Sequence, residues 1–300
     1  KETRSRIIAL WLAVGDIEQA KKNIDSYIAD YPDDSQGMIY EGAYHRIGGD
    51  VQKAKEAFDR HLEKDPDNAI ALWQRGQLFM LLGRWQNAAD DLSRAKSFAP
   101  DNFGYQHRIA LASCLVELQQ TDQAVSELRG ILEKKPNEVL VAEALMDVYC
   151  RIRPPRYNEC ERLIFTYMQR DPREPQWPAM LGKLGEITEN WNKAVEGYMK
   201  AAEIGRYRPV LVRSYFNACR RAKRPQGIIS FATEKLSSRV LQTMPLETAS
   251  LAWAYFQVGD KEKASETYDT ALASAGPDFM AYTKIISDMV MTLGKEAVLE

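Results

Sequence analysis

The three histidines, His45, His61 and His107, are the side chains best suited to moving a proton near neutral pH. None shares a spacing with a serine, cysteine or carboxylate that would make a nucleophile and its base, so each reads as a packed or surface residue. The acidic pairs Asp33/Asp34 and Asp90/Asp91 read as helix-end and solvated-face residues, where capping and hydration account for them. Cys114, Cys150, Cys160 and Cys219 form no CxxC and have no closely spaced histidine, which argues against zinc or a disulfide framework and for buried thiols. The glycines make neither GxGxxG nor a phosphate loop. No metal or cofactor is implied, and the chain reads as a non-enzyme.

One run carries a different chemistry. Arg206, Arg208, Arg213, Arg220, Arg221, Lys223 and Arg224 follow one another with no acidic residue between them, and Tyr207, Tyr215 and Phe216 are interleaved. Guanidinium groups beside aromatic rings can hold phosphate and stack bases, so the patch Arg206, Arg208, Arg220, Arg221, Lys223 and Arg224 is one candidate surface. Arg220 to Arg224 also close a helix, whose dipole favours cations there, and an acidic protein would suit them equally. The net charge of -2 and the confinement of the run to one place disfavour nucleic acid. The first half of the chain is acidic in excess and the second half basic.

The elements that position these residues follow from hydrophobic content of 45%, charged content of 27% and internal repetition. The stretch 69–102 places Leu72, Gly76 and Phe79 on one helical face. It turns at Gly83, then sets Trp85, Ala88, Leu92 and Ala95 on the facing side of a second helix, with Pro100 ending it. Small residues at Gly76, Ala88 and Ala95 let the two helices approach, and Phe79, Trp85 and Leu92 fill the space around them. The small position of the second helix recurs as Ala20, Ala54, Ala88, Ala124, Cys160, Ala194, Gly227 and Ala264, at intervals of 33 to 37 residues. Pro32, Pro66, Pro100, Pro136 and Pro172 keep the same early beat. Two columns with one period mark a repeat array.

This order of residue types resembles the tetratricopeptide repeat over essentially the whole chain. The resemblance implies an all-α fold, a right-handed α-α superhelix (solenoid) of helix-turn-helix repeats in one domain, 1–300. Repeats are expected at about 1–34, 35–68, 69–102, 103–138, 139–174, 175–207, 208–244 and 245–277, with a partial ninth at 278–300. The fifth is irregular through Arg153-Pro154-Pro155-Arg156. The seventh is the most degenerate, since Tyr215 takes the usually small position. The chain opens inside one repeat and stops inside another, and so reads as a piece of a longer protein.

In this family the first helices line an inner groove. Carried over residue by residue, its positions are Ile39, Ala43 and Arg46, then Trp73, Gln77 and Met80, then Ile109, Ser113 and Val116. Glu143, Asp147 and Arg151 follow, then Ala179, Lys183 and Glu186, then Val212, Phe216 and Arg220, and finally Ala249, Trp253 and Phe256. An exposed Trp73 and Met80 beside Ile109 would suit an extended or helical peptide. Gln77 and Ser113 would bond its backbone, and Glu143/Asp147 against Lys183/Arg213 would set its direction. The carboxylate clamp of some family members is absent, because Ser5, Ala9, Tyr40, Ile70 and Gln74 occupy its positions.

The expected function is a protein-interaction scaffold with a protein or peptide partner. The alternatives are the docking or regulatory arm of a larger enzyme or of an envelope or polysaccharide-export assembly, and a binder of nucleic acid or acidic polymer. No run reaches the roughly 18 apolar residues of a membrane span, and the compartment stays open between cytoplasm and periplasm.

Overall fold

A computed structural model describes residues 1–98 and 104–294, and among them every regular element is a helix. Pro100 and residues 295–300 of the expected ninth repeat lie outside the described residues. The helices group into two compact units, 1–155 and 156–300. Unit 1 holds α1 (Glu2–Val14), α2 (Ile17–Asp30), α3 (Gln36–Ile47), α4 (Val51–Lys64), α5 (Ala69–Leu81), α6 (Trp85–Phe98), α7 (Tyr105–Glu117), α8 (Thr121–Lys134) and α9 (Val139–Arg151). Unit 2 holds α10 (Tyr157–Arg170), α11 (Gln176–Ile187), α12 (Trp191–Ile204), α13 (Pro209–Arg221) and α14 (Pro225–Lys235), then the short α15 (Ser238–Leu241), α16 (Pro245–Gln257), α17 (Lys261–Ala275) and α18 (Phe279–Leu293).

Within unit 1 the odd-numbered helices pack each on the next, and each even helix packs on the odd helix before and after it. This is an α-solenoid in two layers, in which no pair of helices can bury its apolar faces alone. The turns between paired helices need a left-handed residue. Gly83 supplies it at φ 67, and Gln119 does the same work in the fourth repeat at φ 61. Side chains then start the second helices: Asp16 accepts from the Gln19 amide at 3.0 Å and Asp50 from that of Lys53 at 3.2 Å.

Packing within a pair follows the small-against-large rule. A Cβ on Gly42 would lie 2.5 Å from the Phe58 ring, and one on Gly182 would lie 2.6 Å from the Tyr198 ring. The seventh repeat inverts the arrangement. Its bulky Tyr215 points at Gly227, where the other second helices carry alanine or cysteine, and the phenol donates to the Gly227 carbonyl at 3.2 Å. Degeneracy in one helix is thus compensated in the other.

One sequence expectation is corrected. Asp91 is not a solvated-face residue; it is buried, and Arg75 reaches it by Nε to Oδ2 at 2.7 Å and Nη2 to Oδ1 at 2.9 Å. Arg75 also donates from Nη1 to Asp59 at 2.7 Å, linking α4, α5 and α6. Glu127 on α8 plays the same part, held by Arg108 at 3.0 Å and by Lys96. Burial raises the Asp59 pKa, but its bonds to Lys55 and Arg75 outweigh burial and hold it below the usual range; Glu127 is depressed likewise by Lys96 and Arg108. Their folded pKa values lie below the unfolded ones, so the stability they contribute is present above about pH 4 and is lost as pH falls through the depressed values. Resistance of the chain to urea should therefore fall as pH drops below about 4, and Asp59→Asn with Glu127→Gln should flatten that fall. An unchanged slope in the double variant would contradict the assignment.

Candidate functional site

The first-helix layer of unit 1 carries the surface built from Trp73, Gln77 and Met80. These residues stand at i, i+4 and i+7 of α5 and so share one face, while Leu72, Gly76 and Phe79 are buried on another. Trp73 is half-buried. Its ring is held edge-on by His107 of α7, with centroids 4.0 Å apart and planes at 71°. Burial lowers the His107 pKa, partly offset by a bond to the Gly104 backbone. That histidine is a packing partner of the tryptophan, a role its isolation in the sequence gave no hint of. Ile109 and Ser113 of α7 are half-buried, but the Ser113 hydroxyl already donates to the Ile109 carbonyl at 3.0 Å. The Gln77 amide engages no described residue.

Other expected groove positions serve the fold. Ile39 is 2% exposed and Ala43 6%, while Val212 and Phe216 are fully enclosed, so none offers surface to a partner. Arg46 is half-buried and its Nε meets no acceptor among the described residues; burial lowers its pKa. Glu143 is half-buried, and the exposed Asp147 pairs with Arg151 at 3.3 Å in its own helix. Arg151 also reaches Glu117. Glu143 and Asp147 belong to unit 1, whereas the exposed Lys183 and Arg213 belong to unit 2.

The basic run does not form one face. Arg206 lies in the turn after α12 with a left-handed backbone, Arg208 caps α13, Lys223 takes the left-handed turn position, and Arg224 caps α14. Arg221 stacks on Trp191 of α12, with its guanidinium carbon 4.9 Å from the ring centroid. Arg220 turns the other way, toward Trp253 of α16 at 4.8 Å and Asp288 of α18 at 2.6 Å. Arg213 reaches Glu247 of α16 at 2.6 Å, and that carboxylate is fully enclosed with its second oxygen unpartnered among the described residues. The structure thus brings Arg213 and Arg220 together and scatters the others. Lys284 and Asp288, the third wall of the same cleft, were not singled out by sequence.

Among the described residues no group of three or more His, Cys, Asp or Glu is placed to hold a metal, and no helix is long and apolar enough to cross a membrane. Burial pushes the Cys114 and Cys219 thiols up to about 11, which suits packed rather than nucleophilic sulfur.

Comparison with known proteins adds family evidence to this geometry. A tetratricopeptide repeat model matches residues 12–67 and 48–103, and a second tetratricopeptide repeat model matches 249–276. No curated protein matches in sequence. Among solved structures, the chain is similar to the C-terminal part of a TPR repeat-containing protein from Cytophaga hutchinsonii, at 12% identity and a TM-score of 0.51, covering 81% of this chain and 97% of that one. It is similar to Pseudomonas aeruginosa PilF at 17% identity and a TM-score of 0.51, covering 72% and 96%. A tetratricopeptide repeat protein from Parabacteroides merdae aligns at 14% identity and a TM-score of 0.48, covering 85% and 98%. Repeat matches in both units, carried on stacked helix pairs with small-against-large seams, identify tetratricopeptide repeats at 12–103 and 249–276.

Proposed function

We propose that the chain is a non-catalytic scaffold that holds an extended or helical segment of a partner protein against the first-helix face of unit 1. The observation that carries this reading is the fixed, half-exposed Trp73. A ring already pinned by His107 loses little freedom on binding, and a rigid aromatic anchor is the residue type that dominates interface energetics. Met80 extends the apolar strip along the same face, and the unengaged Gln77 amide can bond a passing backbone. Ser113 contributes as an acceptor, since its proton is already given to Ile109. Dispersal of the basic run is the reason for preferring protein over nucleic acid, because only a continuous cationic track follows a phosphate backbone.

The test is a pull-down with residues 1–300 as bait, with and without nuclease. Trp73→Ala with Gln77→Ala should weaken the captured protein by about thirtyfold, as expected for loss of one hot-spot anchor of about 2 kcal/mol, with helix content by circular dichroism unchanged. Undiminished capture by a folded double variant, or partners that vanish with nuclease, would refute the reading.

A further inference from the structure

In unit 1 the last residue of three successive first helices is an exposed aliphatic. Val14 closes α1 at 67% exposure, Ile47 closes α3 at 38% and Leu81 closes α5 at 68%, with the exposed Leu82 beside it. They stand 33 and 34 residues apart, one repeat each, and α1, α3 and α5 pack side by side, so the three form a row along one edge of the unit. Single exposed aliphatics are ordinary, but a row of them is not. Nothing local favours them either, because the C-terminal end of a helix suits a cation and Gly15, Gly49 and Gly83 already make the turns. The row stops at α7, whose last residue is Glu117, paired with Arg151 of α9.

The charges beside the row are unevenly engaged. Arg46, one residue before Ile47, is half-buried, and its guanidinium makes no hydrogen bond or ion pair with a described residue. The exposed Arg84, two residues after Leu82, is likewise unpaired among the described residues. The carboxylates at this edge are already occupied. Asp16 and Asp50 cap α2 and α4, and Asp50 also pairs with Lys53 at 3.0 Å.

Spacing decides which shape of chain fits. Packed neighbouring helices lie about 10 Å apart. An α-helix advances about 10.5 Å in seven residues, which is close to two turns and returns to the same face. An extended strand covers that distance in about three residues, and an odd step turns the side chain to the opposite face. We propose that this edge docks an acidic amphipathic helix of a partner protein, laid across the ends of α1, α3 and α5. Its apolar residues, seven apart, meet Val14, Ile47 and Leu81, and its acidic flank meets Arg46 and Arg84. That a protein is captured at all rests on the unit 1 reading above; the helical form and the negative flank rest on the row itself.

The experiment is fluorescence anisotropy of the full chain with a labelled, C-amidated helical peptide that carries three leucines spaced seven apart among glutamates. Saturable binding is expected with a Kd below about 100 μM. Ile47→Ser with Leu81→Ser should weaken it about tenfold with helix content unchanged, because both side chains are exposed. Arg46→Gln with Arg84→Gln should weaken it and flatten its dependence on salt. The proposal is overturned if the peptide binds as tightly with lysines in place of glutamates, with its leucines moved two apart, or with prolines that forbid the helix. Absence of saturable binding up to about 1 mM would overturn it too. Self-association of the chain that Leu81→Ser abolishes would assign the row to a second copy instead. Trp73→Ala with Gln77→Ala should bind the peptide normally, and a loss there would move the peptide off the row. Failure of the row therefore leaves the Trp73 reading standing.

Discussion

Gly197→Ala is expected to destabilise unit 2 by about 3 kcal/mol, at the upper end of what one added methyl group costs in a packed interior. The reason is what the methyl would strike. A Cβ at Gly197 of α12 would lie 2.3 Å from the Gly182 nitrogen, 2.7 Å from the Pro178 carbonyl oxygen and 2.8 Å from the Gly182 Cα. All three are backbone atoms of α11, so no side chain can rotate aside and the helices must separate. Separation would also loosen Tyr198 over Gly182. Gly130→Ala in α8 is the control, because its new methyl would meet only the tip of Arg108 at 3.8 Å. That change should be neutral or stabilising by up to about 1 kcal/mol, since alanine is the better helix former. Equal midpoints for the two variants in chemical denaturation would show that the α11–α12 seam is not closed by backbone contact.

Arg213→Ala should cost about 3 kcal/mol by a different route. Its partner Glu247 has a carboxylate with 0% exposure, and one of its oxygens has Arg213 as its sole donor at 2.6 Å while the other has none among the described residues. Removing the arginine leaves an enclosed charge uncompensated, which is far more costly than losing an exposed pair. The loss sits at the low end of the usual range because the Arg213 side chain is 47% exposed. Glu247→Gln in the same background should restore most of the stability by removing the charge. If Arg213→Ala melts like the parent protein, the pair is an ordinary surface bridge. If the double variant is as weak as the single, packing rather than charge explains the loss.

Much of the fold was legible because a repeat reports each packing rule several times. The alanine column from Ala20 to Ala264, the caps at Asp16 and Asp50 and the glycine turns all recur, and each pairs with a local cause. What escaped involves residues that one repeat does not share with the next. Gly185 and Gly197 lie off the repeat beat, yet their added Cβ atoms would strike the backbone of the facing helix. Arg75 and Asp91 are 16 residues apart on different helices, and only the coordinates show that one guanidinium serves two carboxylates. The candidate site divides the same way. That Trp73, Gln77 and Met80 share a face follows from position within a helix, but the sequence implied an exposed Trp73 and Met80 where the structure half-buries both. Arg213 and Arg220 were read within the basic run and the groove but not as lining one cleft, because Lys284 and Asp288 enter from more than sixty residues away. Helical periodicity tells which face a residue occupies but not which third helix will arrive opposite it.

The seam position three residues after the small alanine has a consequence for how the chain avoids mispairing. That position is Asp91 after Ala88, Glu127 after Ala124 and Gly197 after Ala194. In the first two cases a buried or half-buried acid awaits an arginine, and in the third two backbones touch. Were α11 to dock on α6, Asp91 would face Gly182 with no cation. Were α5 to dock on α12, Arg75 would meet bare backbone. A chain of near-identical units has slippage by one whole period as its nearest competing state, and hydrophobic patterning alone cannot forbid it. Here exchange between the third and sixth repeats strands a charge or opens a void, so the irregular chemistry at one otherwise regular position tells those repeats apart.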